Sequence, residues 1–293
     1  MPMLSIKNNK LTVLINTYGA ELTSIKHKSG KEFLWQGGQE WSEHAPVLFP
    51  IVSTLKDNKY TLDGKEYYME AHGFASKCEF EVESQTACSV TMLLKSNSYT
   101  LSQYPFDFEF RIRFTLDGNK LCQEYITKNK SKKNMYYSAG SHEGYACPGG
   151  IDNYTLVFDE PETIERYAQF RDECGHICKK LVPYLKNERE IKLDYDFFAD
   201  NELDFLDFKS QGIALRDDRT SDEIHISFPG FDTLVCWTRK GARAEYICIE
   251  PWCGTWDFDE YTPCDLSQKY RIRTLKPYEQ ETLTHTITFP TNK

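Results

Sequence analysis

The chain of 293 residues lacks the features of a membrane protein and of a nucleic-acid-binding protein. It has no uninterrupted apolar run near the ~20 residues that a membrane-spanning helix requires. Its 44 acidic residues outnumber its 35 basic residues, which gives a formal net charge of −9. Such a charge disfavours nucleic acid or an anionic membrane surface as the main partner, and it weakens the case for a polyphosphate substrate. We therefore expect neither nucleic acid nor a membrane as a partner.

We also expect no secretory signal, because residues 1–7 hold no basic region followed by an apolar core. The ten cysteines are scattered along the chain, and we expect free thiols in a reduced, cytoplasmic setting. Cys174, His176 and Cys178 form the one cluster that offers potential metal ligands. No second close Cys/His pair accompanies it, so a loop or hairpin with incidental thiols is favoured over a zinc site. The sequence thus predicts no metal and no cofactor.

Linkers and helical periodicity are scarce as well. No stretch rich in glycine and serine, or in proline, divides the chain, so we expect a single domain over residues 1–293. Residues 196–204 have room for a turn or two of helix, and residues 265–269 have room for one turn. Many short β-prone segments follow one another elsewhere, with apolar residues alternating as far as Phe289. This pattern predicts an all-β fold, one large antiparallel β-sandwich with long functional loops.

Two Asp-Gly pairs predict β-hairpins. Asp63-Gly64 and Asp117-Gly118 each lie between β-prone arms, which is a strong signal for a two-residue turn. Before the second pair, four apolar side chains share one face of a strand with period two: Phe108, Phe110, Ile112 and Phe114.

The most informative segment is residues 246–254, in which Glu250 follows a short apolar, β-prone run and precedes Pro251 and Trp252. A buried strand needs no ionisable group at its end, and burial raises the pKa of a carboxyl group towards the range in which it acts as a base. Pro251 is expected to end the strand, and Trp252 suits the apolar face of a sugar. From this segment alone, a catalytic Glu250 and a strand-end Glu250 bonded to nearby backbone both stay open.

Two of the seven histidines lie in segments rich in glycine and aromatic residues. His72 precedes Gly73, and His142 stands between Ser141 and Glu143. Glycine lets a backbone and a ligand approach closely. A single loop histidine is usually structural, but the two histidines together with Glu250 predict one acid–base site.

Four ordered segments carry a resemblance to a known family. They are Tyr18-Gly19-Ala20-Glu21-Leu22 with Phe33-Leu34-Trp35; Ala45-Pro46-Val47-Leu48-Phe49-Pro50 running on to His72-Gly73-Phe74; Gly140-Ser141-His142; and Cys248-Ile249-Glu250-Pro251-Trp252. The chain resembles the galactose mutarotase-like, or aldose 1-epimerase, superfamily, and within it the LacX-type branch of bacterial proteins. The resemblance implies a large β-supersandwich with a sugar-binding cleft on one sheet face.

The resemblance also implies interconversion of the α and β anomers of an aldose. The family's base matches Glu250, its acid matches His142, and the histidine that holds the substrate matches His72. Ring opening removes the proton of O1 and protonates the ring oxygen O5, so an acid and a base must act together. We expect Glu250 and His142 to face each other across a hexose-sized space in one cleft. Trp252 or Tyr145 is expected to stack on the sugar, although either also fits the core.

The chain departs from the family pattern at three places. Thr54 replaces an arginine that contacts the sugar in relatives, and Lys56 is the nearby cation expected to substitute for it. The family aspartate that contacts sugar hydroxyls falls at Asn201, or at Asp200 if the alignment slips by one. Glu143 stands beside His142, and close approach of its carboxylate would raise the pKa of His142.

Three functions therefore stay open. The first is an aldose 1-epimerase acting on a neutral or modified hexose. The second is a carbohydrate-binding protein on the same scaffold with little or no turnover, and the third is a hexose-phosphate 1-epimerase. The third requires a cluster of arginine and lysine at the cleft, and Thr54 argues against it. A small-molecule sugar is the expected partner, and we expect a monomer or a homodimer.

Overall fold

The computed structural model describes residues 3–167, 180–258 and 265–291, so the Cys174–Cys178 cluster lies outside the described residues. Strands make up most of this part of the chain, and the all-β prediction is confirmed. The strands are β1 (Met3–Lys7), β2 (Leu11–Asn16), β3 (Leu22–His27), β4 (Lys59–Leu62), β5 (Lys65–Tyr68), β6 (Glu81–Gln85), β7 (Ser89–Lys95), β8 (Phe108–Asp117), β9 (Lys120–Asn129), β10 (Met135–Tyr137), β11 (Ala139–Gly140), β12 (Glu143–Ala146), β13 (Tyr154–Tyr167), β14 (Leu181–Lys192), β15 (Leu203–Leu206), β16 (Gly212–Asp217), β17 (Glu223–Ser227), β18 (Thr233–Trp237), β19 (Tyr246–Cys253), β20 (Arg273–Leu275) and β21 (Gln280–Thr288). The α-helices of the described residues are α1 (Ser98–Gln103) and α2 (Tyr195–Phe198).

One large antiparallel sheet organises the described residues. It contains 14 strands, and its path is β11-β19-β18-β15-β13-β16-β17-β21-β9-β8-β7-β6, with β12 also paired to β19 and β14 to β13. Smaller sheets pair β1 with β2 and β3, β4 with β5, and β10 with β20. Strand β19 has β18 on one side and both β11 and β12 on the other, so it is paired along both edges. It lies near the end of the sheet that holds the candidate site.

The core follows the predicted alternation. In β8, the four apolar side chains from Phe108 to Phe114 are buried, whereas the charged residues between them are partly exposed. Phe49 stacks on Phe110 with ring centroids 4.2 Å apart and an interplanar angle of 10°. This packing attaches the segment before β4 to the large sheet, and the same segment leads into the site.

Both predicted hairpins are present. Leu62 pairs with Lys65, so Asp63 and Gly64 form a two-residue loop, and both have positive φ angles of 51° and 75°. Positive φ at both positions matches the type I′ turn that an Asp-Gly pair favours. In the second hairpin, Asp117 pairs with Lys120, so the loop is Gly118-Asn119, one residue later than the sequence predicts.

Three local predictions differ from the structure. The helix expected over residues 196–204 ends at Phe198, because Leu203–Leu206 pairs with β18 as strand β15. Helix α1 was not expected; the Asn97 side chain caps it by accepting the backbone N–H groups of its first turn. Strand β19 does not end at Pro251 but continues to Cys253. Proline has no N–H to donate, and the Pro251 carbonyl accepts from the Ser141 N–H at 3.2 Å.

Two further observations concern the setting of the protein. Across the described ranges, no helix combines the length and the apolar character needed to cross a membrane. The cysteines in the described residues are free thiols. Cys88 and Cys122 are partly exposed, and the others are buried: Cys78, Cys147, Cys236, Cys248 and Cys253.

Candidate active site

A cavity of about 250 Å³ opens where β15, β18 and β19 lie side by side. This volume is just below the ~300–1,000 Å³ of pockets that hold drug-sized ligands, and it suits a single sugar ring. The lining residues are Ser53, Thr54, Ala71, His72, His142, Glu202, Asp204, Val235, Trp237, Glu250, Trp252 and Trp256. Four of the residues predicted to act on or bind the sugar therefore meet in one cavity: Glu250, His142, His72 and Trp252.

Strand register places His142 beside Glu250. Gly140 of β11 lies opposite Trp252, and Glu143 of β12 lies opposite Ile249. The two short strands share one register along β19, so His142 between them lies opposite Glu250. Directly opposite residues of antiparallel strands are close neighbours. Accordingly, His142 Nε2 is 3.3 Å from Glu250 Oε2.

The prediction that these two groups face each other across a hexose-sized space is wrong, because they are adjacent. The chemistry accounts for the difference. O1 and O5 of an aldopyranose are bonded to the same carbon, C1, so a base and an acid that are neighbours can reach both oxygens. The observed pair can address both oxygens from one side of the sugar.

His142 is enclosed by aromatic rings. Trp41 lies 5.3 Å from it, Trp237 5.8 Å and His72 5.4 Å, measured between ring centroids. Burial, and to a smaller extent the nearby His72, lower the pKa of His142 below its ordinary value. The carboxylate of Glu250 acts in the opposite direction, because it favours a protonated imidazole.

Glu143 does not influence His142 as expected. Successive side chains of a strand point to opposite faces, so the Glu143 side chain enters the core while His142 faces the cavity. There Glu143 Oε2 lies 3.9 Å from Nδ1 of the buried His285. Burial raises the pKa of the Glu143 carboxyl group to about 7. Glu143 is therefore a buried core carboxyl group rather than a partner of the candidate acid.

His72 is held by its own backbone and by Ser53. The backbone N–H of His72 donates to the Ser53 carbonyl at 2.8 Å, and the backbone N–H of Ser53 donates to His72 Nδ1 at 3.1 Å. Because Nδ1 accepts a hydrogen bond, a neutral His72 carries its proton on Nε2. Gly73 allows this loop to pack closely, since a Cβ atom there would lie 2.4 Å from the Phe49 carbonyl oxygen.

Trp252 forms one wall of the cavity. Its Nε1–H donates to the Ser141 carbonyl at 3.1 Å, and its ring meets the His72 ring edge to face at 5.9 Å. A Cβ atom at position 140 would lie 2.4 Å from the Trp252 ring, so Gly140 leaves room for the indole. These contacts fix the indole at the cavity wall.

Two carboxylates line the cavity where the sequence indicated Asn201. Glu202 and Asp204 are buried, and both belong to the cavity wall. Asn201 lies outside it and donates its amide Nδ2–H to the Phe197 carbonyl at 3.0 Å. Asp200 is exposed. The alternation of acidic and apolar residues from position 202 to 205 was the available signal, because it is the pattern of a strand with one polar face.

Tyr145 and Lys56 do not line the cavity either. Tyr145 is fully buried in the main core, since it lies on the strand face that also carries Glu143. Thr54, at the position of the family arginine, is part of the cavity wall. The Lys56 backbone N–H donates to Asp257 Oδ2 at 2.9 Å. Sequence order placed Lys56 near the site but did not specify the direction of its side chain.

A buried ion pair supports the loop that carries Thr54. Lys269 Nζ and Asp257 Oδ1 form this pair, and both side chains are almost fully buried. The Asp257 N–H donates to the Thr54 carbonyl at 3.1 Å, while its carboxylate accepts from the Lys56 N–H. The pair therefore fixes the backbone of residues 54–56 at the rim of the cavity.

The cavity wall is rich in acidic side chains. Its wall holds three carboxylates and two imidazoles, and among the described residues it holds no lysine or arginine. The ligand atoms of His142, Cys248 and Glu250 lie within 4.8 Å of one another, which is close enough for a metal ion. Burial raises the pKa of the Cys248 thiol well above its ordinary value, so the sulfur is protonated near neutral pH when no metal is bound.

Comparisons with known proteins identify the family of the chain. The family model for aldose 1-epimerase matches residues 2–263. Protein LacX (chromosomal) of Lactococcus lactis subsp. lactis is 32% identical over 262 residues, which cover 86% of this chain and 87% of that protein. The galactose mutarotase related enzyme from Lactobacillus acidophilus is 32% identical, with a TM-score of 0.93 over 99% of this chain and 98% of that one.

A more distant structure shares the fold. Galactose 1-epimerase from Lactobacillus acidophilus NCFM has a TM-score of 0.73 at 13% identity, over 98% of this chain and 93% of that one. The galactose mutarotase type of β-supersandwich expected from the sequence is thus confirmed. The chain belongs to the aldose 1-epimerase family, in its LacX-type branch.

Proposed function

We propose that this protein is an aldose 1-epimerase, or mutarotase, that interconverts the α and β anomers of a hexose. The observation that carries the proposal is the 3.3 Å contact between His142 Nε2 and Glu250 Oε2 at the wall of a cavity the size of a sugar ring. A carboxylate and an imidazole placed together supply a proton acceptor and a proton donor for two oxygens on one carbon.

The reaction begins with ring opening. The Glu250 carboxylate takes the proton of the O1 hydroxyl while protonated His142 gives its Nε2 proton to O5. The electron pair left on O1 forms the C1–O1 double bond, and the C1–O5 bond breaks, which yields the open-chain aldehyde. After rotation about C1–C2, neutral His142 takes the proton back from the O5 hydroxyl, O5 attacks the other face of C1, and Glu250 returns its proton to O1. Each group is worth ~10²–10⁴-fold in rate.

Other residues of the cavity bind the sugar in this proposal. His72 Nε2–H donates to a hydroxyl, because its Nδ1 is occupied by the Ser53 N–H. Asp204 and Glu202 accept hydrogen bonds from hydroxyl groups, which are strengthened by the negative charge. Trp252 stacks on the apolar face of the ring. These contacts hold C1 at the acid–base pair and so supply the positioning part of catalysis.

The acidic cavity favours a neutral hexose over a hexose phosphate. Three carboxylates would repel a phosphate group, and the described part of the cavity wall offers no lysine or arginine to bind one. A single domain over residues 1–293, a cytoplasmic setting and a reaction without metal or cofactor belong to the same proposal. The free thiols of the described residues fit a reducing compartment.

The test is polarimetry on freshly dissolved α-glucose and α-galactose. The proposal predicts that catalytic amounts of the protein shorten the relaxation of optical rotation for at least one of them. Glucose 6-phosphate serves as the charged control and should relax at its uncatalysed rate. Sugar binding without any change in relaxation rate would instead indicate a carbohydrate-binding protein on this scaffold.

A further inference from the structure

Trp41 contacts His142 without forming part of the cavity wall. The two ring centroids are 5.3 Å apart with an interplanar angle of 30°. Trp41 is absent from the cavity lining, whereas His142 belongs to it. His142 therefore contacts both the Trp41 indole and the cavity.

Several contacts fix the position of Trp41. Its carbonyl accepts from the Gly38 N–H and from Trp35 Nε1–H, both at 2.9 Å. Its own Nε1–H donates to Glu43 Oε2 at 3.2 Å. The ring also stacks on Tyr246, with centroids 5.3 Å apart. The indole is thus held in one orientation before any substrate binds.

Gly144 makes room for this ring. A Cβ atom at position 144 would lie 2.7 Å from Trp41 Cζ3, closer than real Cβ contacts allow, and 3.2 Å from the Trp35 Cβ, which is a tight contact. Gly144 follows His142 by two residues on the same sheet. Any larger residue at position 144 would displace the Trp41 indole from its contact with the His142 imidazole.

The physical problem at this site is to keep His142 protonated. Burial disfavours the imidazolium ion, and the proposed reaction needs that ion as the proton donor. Titratable groups from several elements lie near His142. They are Glu250 and Cys248 on β19, His72 in the loop after β5, Glu43 two residues after Trp41, Glu202 just before β15 and Asp204 on β15. Besides the carboxylates, the faces of aromatic rings also attract a cation, and tryptophan does so most strongly.

We propose that Trp41 is a positioning residue that orients the His142 imidazole and stabilises its protonated form through the indole face. Its catalytic meaning rests on the proposed function, because only a proton donor benefits from this stabilisation. Trp41 itself touches neither the substrate nor the reacting atoms.

The experiment is an NMR titration of the full chain with isotope-labelled histidine. The His142 signal is assigned by its loss in His142→Gln, and its pKa is compared between wild type, Trp41→Phe and Trp41→Leu. Trp41→Leu keeps an apolar side chain but has no aromatic face, so we expect its His142 pKa to fall by about one unit. Trp41→Phe should restore about half of that loss. An unchanged or higher His142 pKa in Trp41→Leu overturns the proposal.

A second variant guards against misfolding of Trp41→Leu. Gly144→Ala leaves the indole in the chain but displaces it, so the His142 pKa should fall in this variant too. The titration needs no turnover, so its outcome is independent of the mutarotation assay. A wild type without mutarotase activity but with the expected pKa shifts refutes the proposed function and keeps the Trp41–His142 coupling. An active wild type whose His142 pKa is left unchanged by the Trp41 and Gly144 substitutions supports the proposed function and refutes the Trp41–His142 coupling.

Discussion

Replacing Glu250 by glutamine is expected to remove nearly all mutarotation while the cavity keeps its shape. Glutamine has the size of glutamate, and position 250 is only 1% exposed, so the amide should occupy the same space. An amide cannot accept the O1 proton, which removes a base worth ~10²–10⁴-fold in rate. The substitution also takes away the carboxylate that stands 3.3 Å from His142 and favours its protonated form. Because the substitution removes the base and also weakens the proton donor, we expect the mutarotation rate to fall by ~10⁴-fold, which corresponds to a barrier higher by ~5 kcal/mol.

The assay is the relaxation rate of optical rotation at several enzyme concentrations. Glu245→Gln is the matched control, because Glu245 is exposed just before β19 and lies outside the cavity. Sugar affinity is followed by fluorescence, since three tryptophans line the cavity, and it should change only a few-fold in Glu250→Gln. If Glu250→Gln keeps more than a tenth of wild-type activity while Glu245→Gln is unchanged, the assignment of Glu250 as base is refuted.

Four further predictions concern His142 and Trp252 of the cavity and the buried residues Glu143 and Lys269. Because burial lowers the pKa of His142 and the donor must be protonated, the rate should fall with rising pH at a midpoint below 6.5; a profile that stays flat to alkaline pH contradicts this. Burial raises the pKa of the Glu143 carboxyl group from 4.5 to about 7. The ionised carboxylate therefore destabilises the folded state once the pH rises above 4.5, the pKa in the unfolded chain. Glu143→Gln should therefore be more stable than wild type at pH 8 by up to ~3 kcal/mol, with no gain at pH 4, in urea unfolding. Lys269→Met leaves the buried Asp257 carboxylate without its cation and should cost ~3–5 kcal/mol in the same measurement; a change below 1 kcal/mol would show that the pair is not needed. Trp252→Leu should raise KM at least several-fold through loss of ring stacking, and an unchanged KM would remove Trp252 from the sugar site.

The fold was predictable because its determinants are local. Period-two alternation in β8 and the Asp63-Gly64 turn are properties of a few consecutive residues, and both correspond to the structure. Glu250 and His72 could be singled out for the same reason, since each stands out from its immediate neighbours. The ordered motifs then supplied what local patterns alone could not, the family.

The geometry of the site was not predictable in this way, because it depends on strand register. The register of β11 and β12 against β19 sets His142 beside Glu250, and no local pattern reports a pairing between residues more than a hundred positions apart. Asp204 was missed because residues 196–204 suggested a helix, whereas the strand that presents this carboxylate begins at Leu203. Trp41 lies in a segment without periodicity, so only the folded chain brings it to His142.

The most direct test of the central claim is the relaxation of freshly dissolved α-galactose and α-glucose in the presence of wild-type protein. The pairing of His142 with Glu250 predicts a relaxation rate that rises in proportion to protein concentration and that His142→Asn abolishes. Relaxation at the buffer rate for both sugars, with a folded protein that binds them, would contradict the claim that this pair moves protons between O1 and O5.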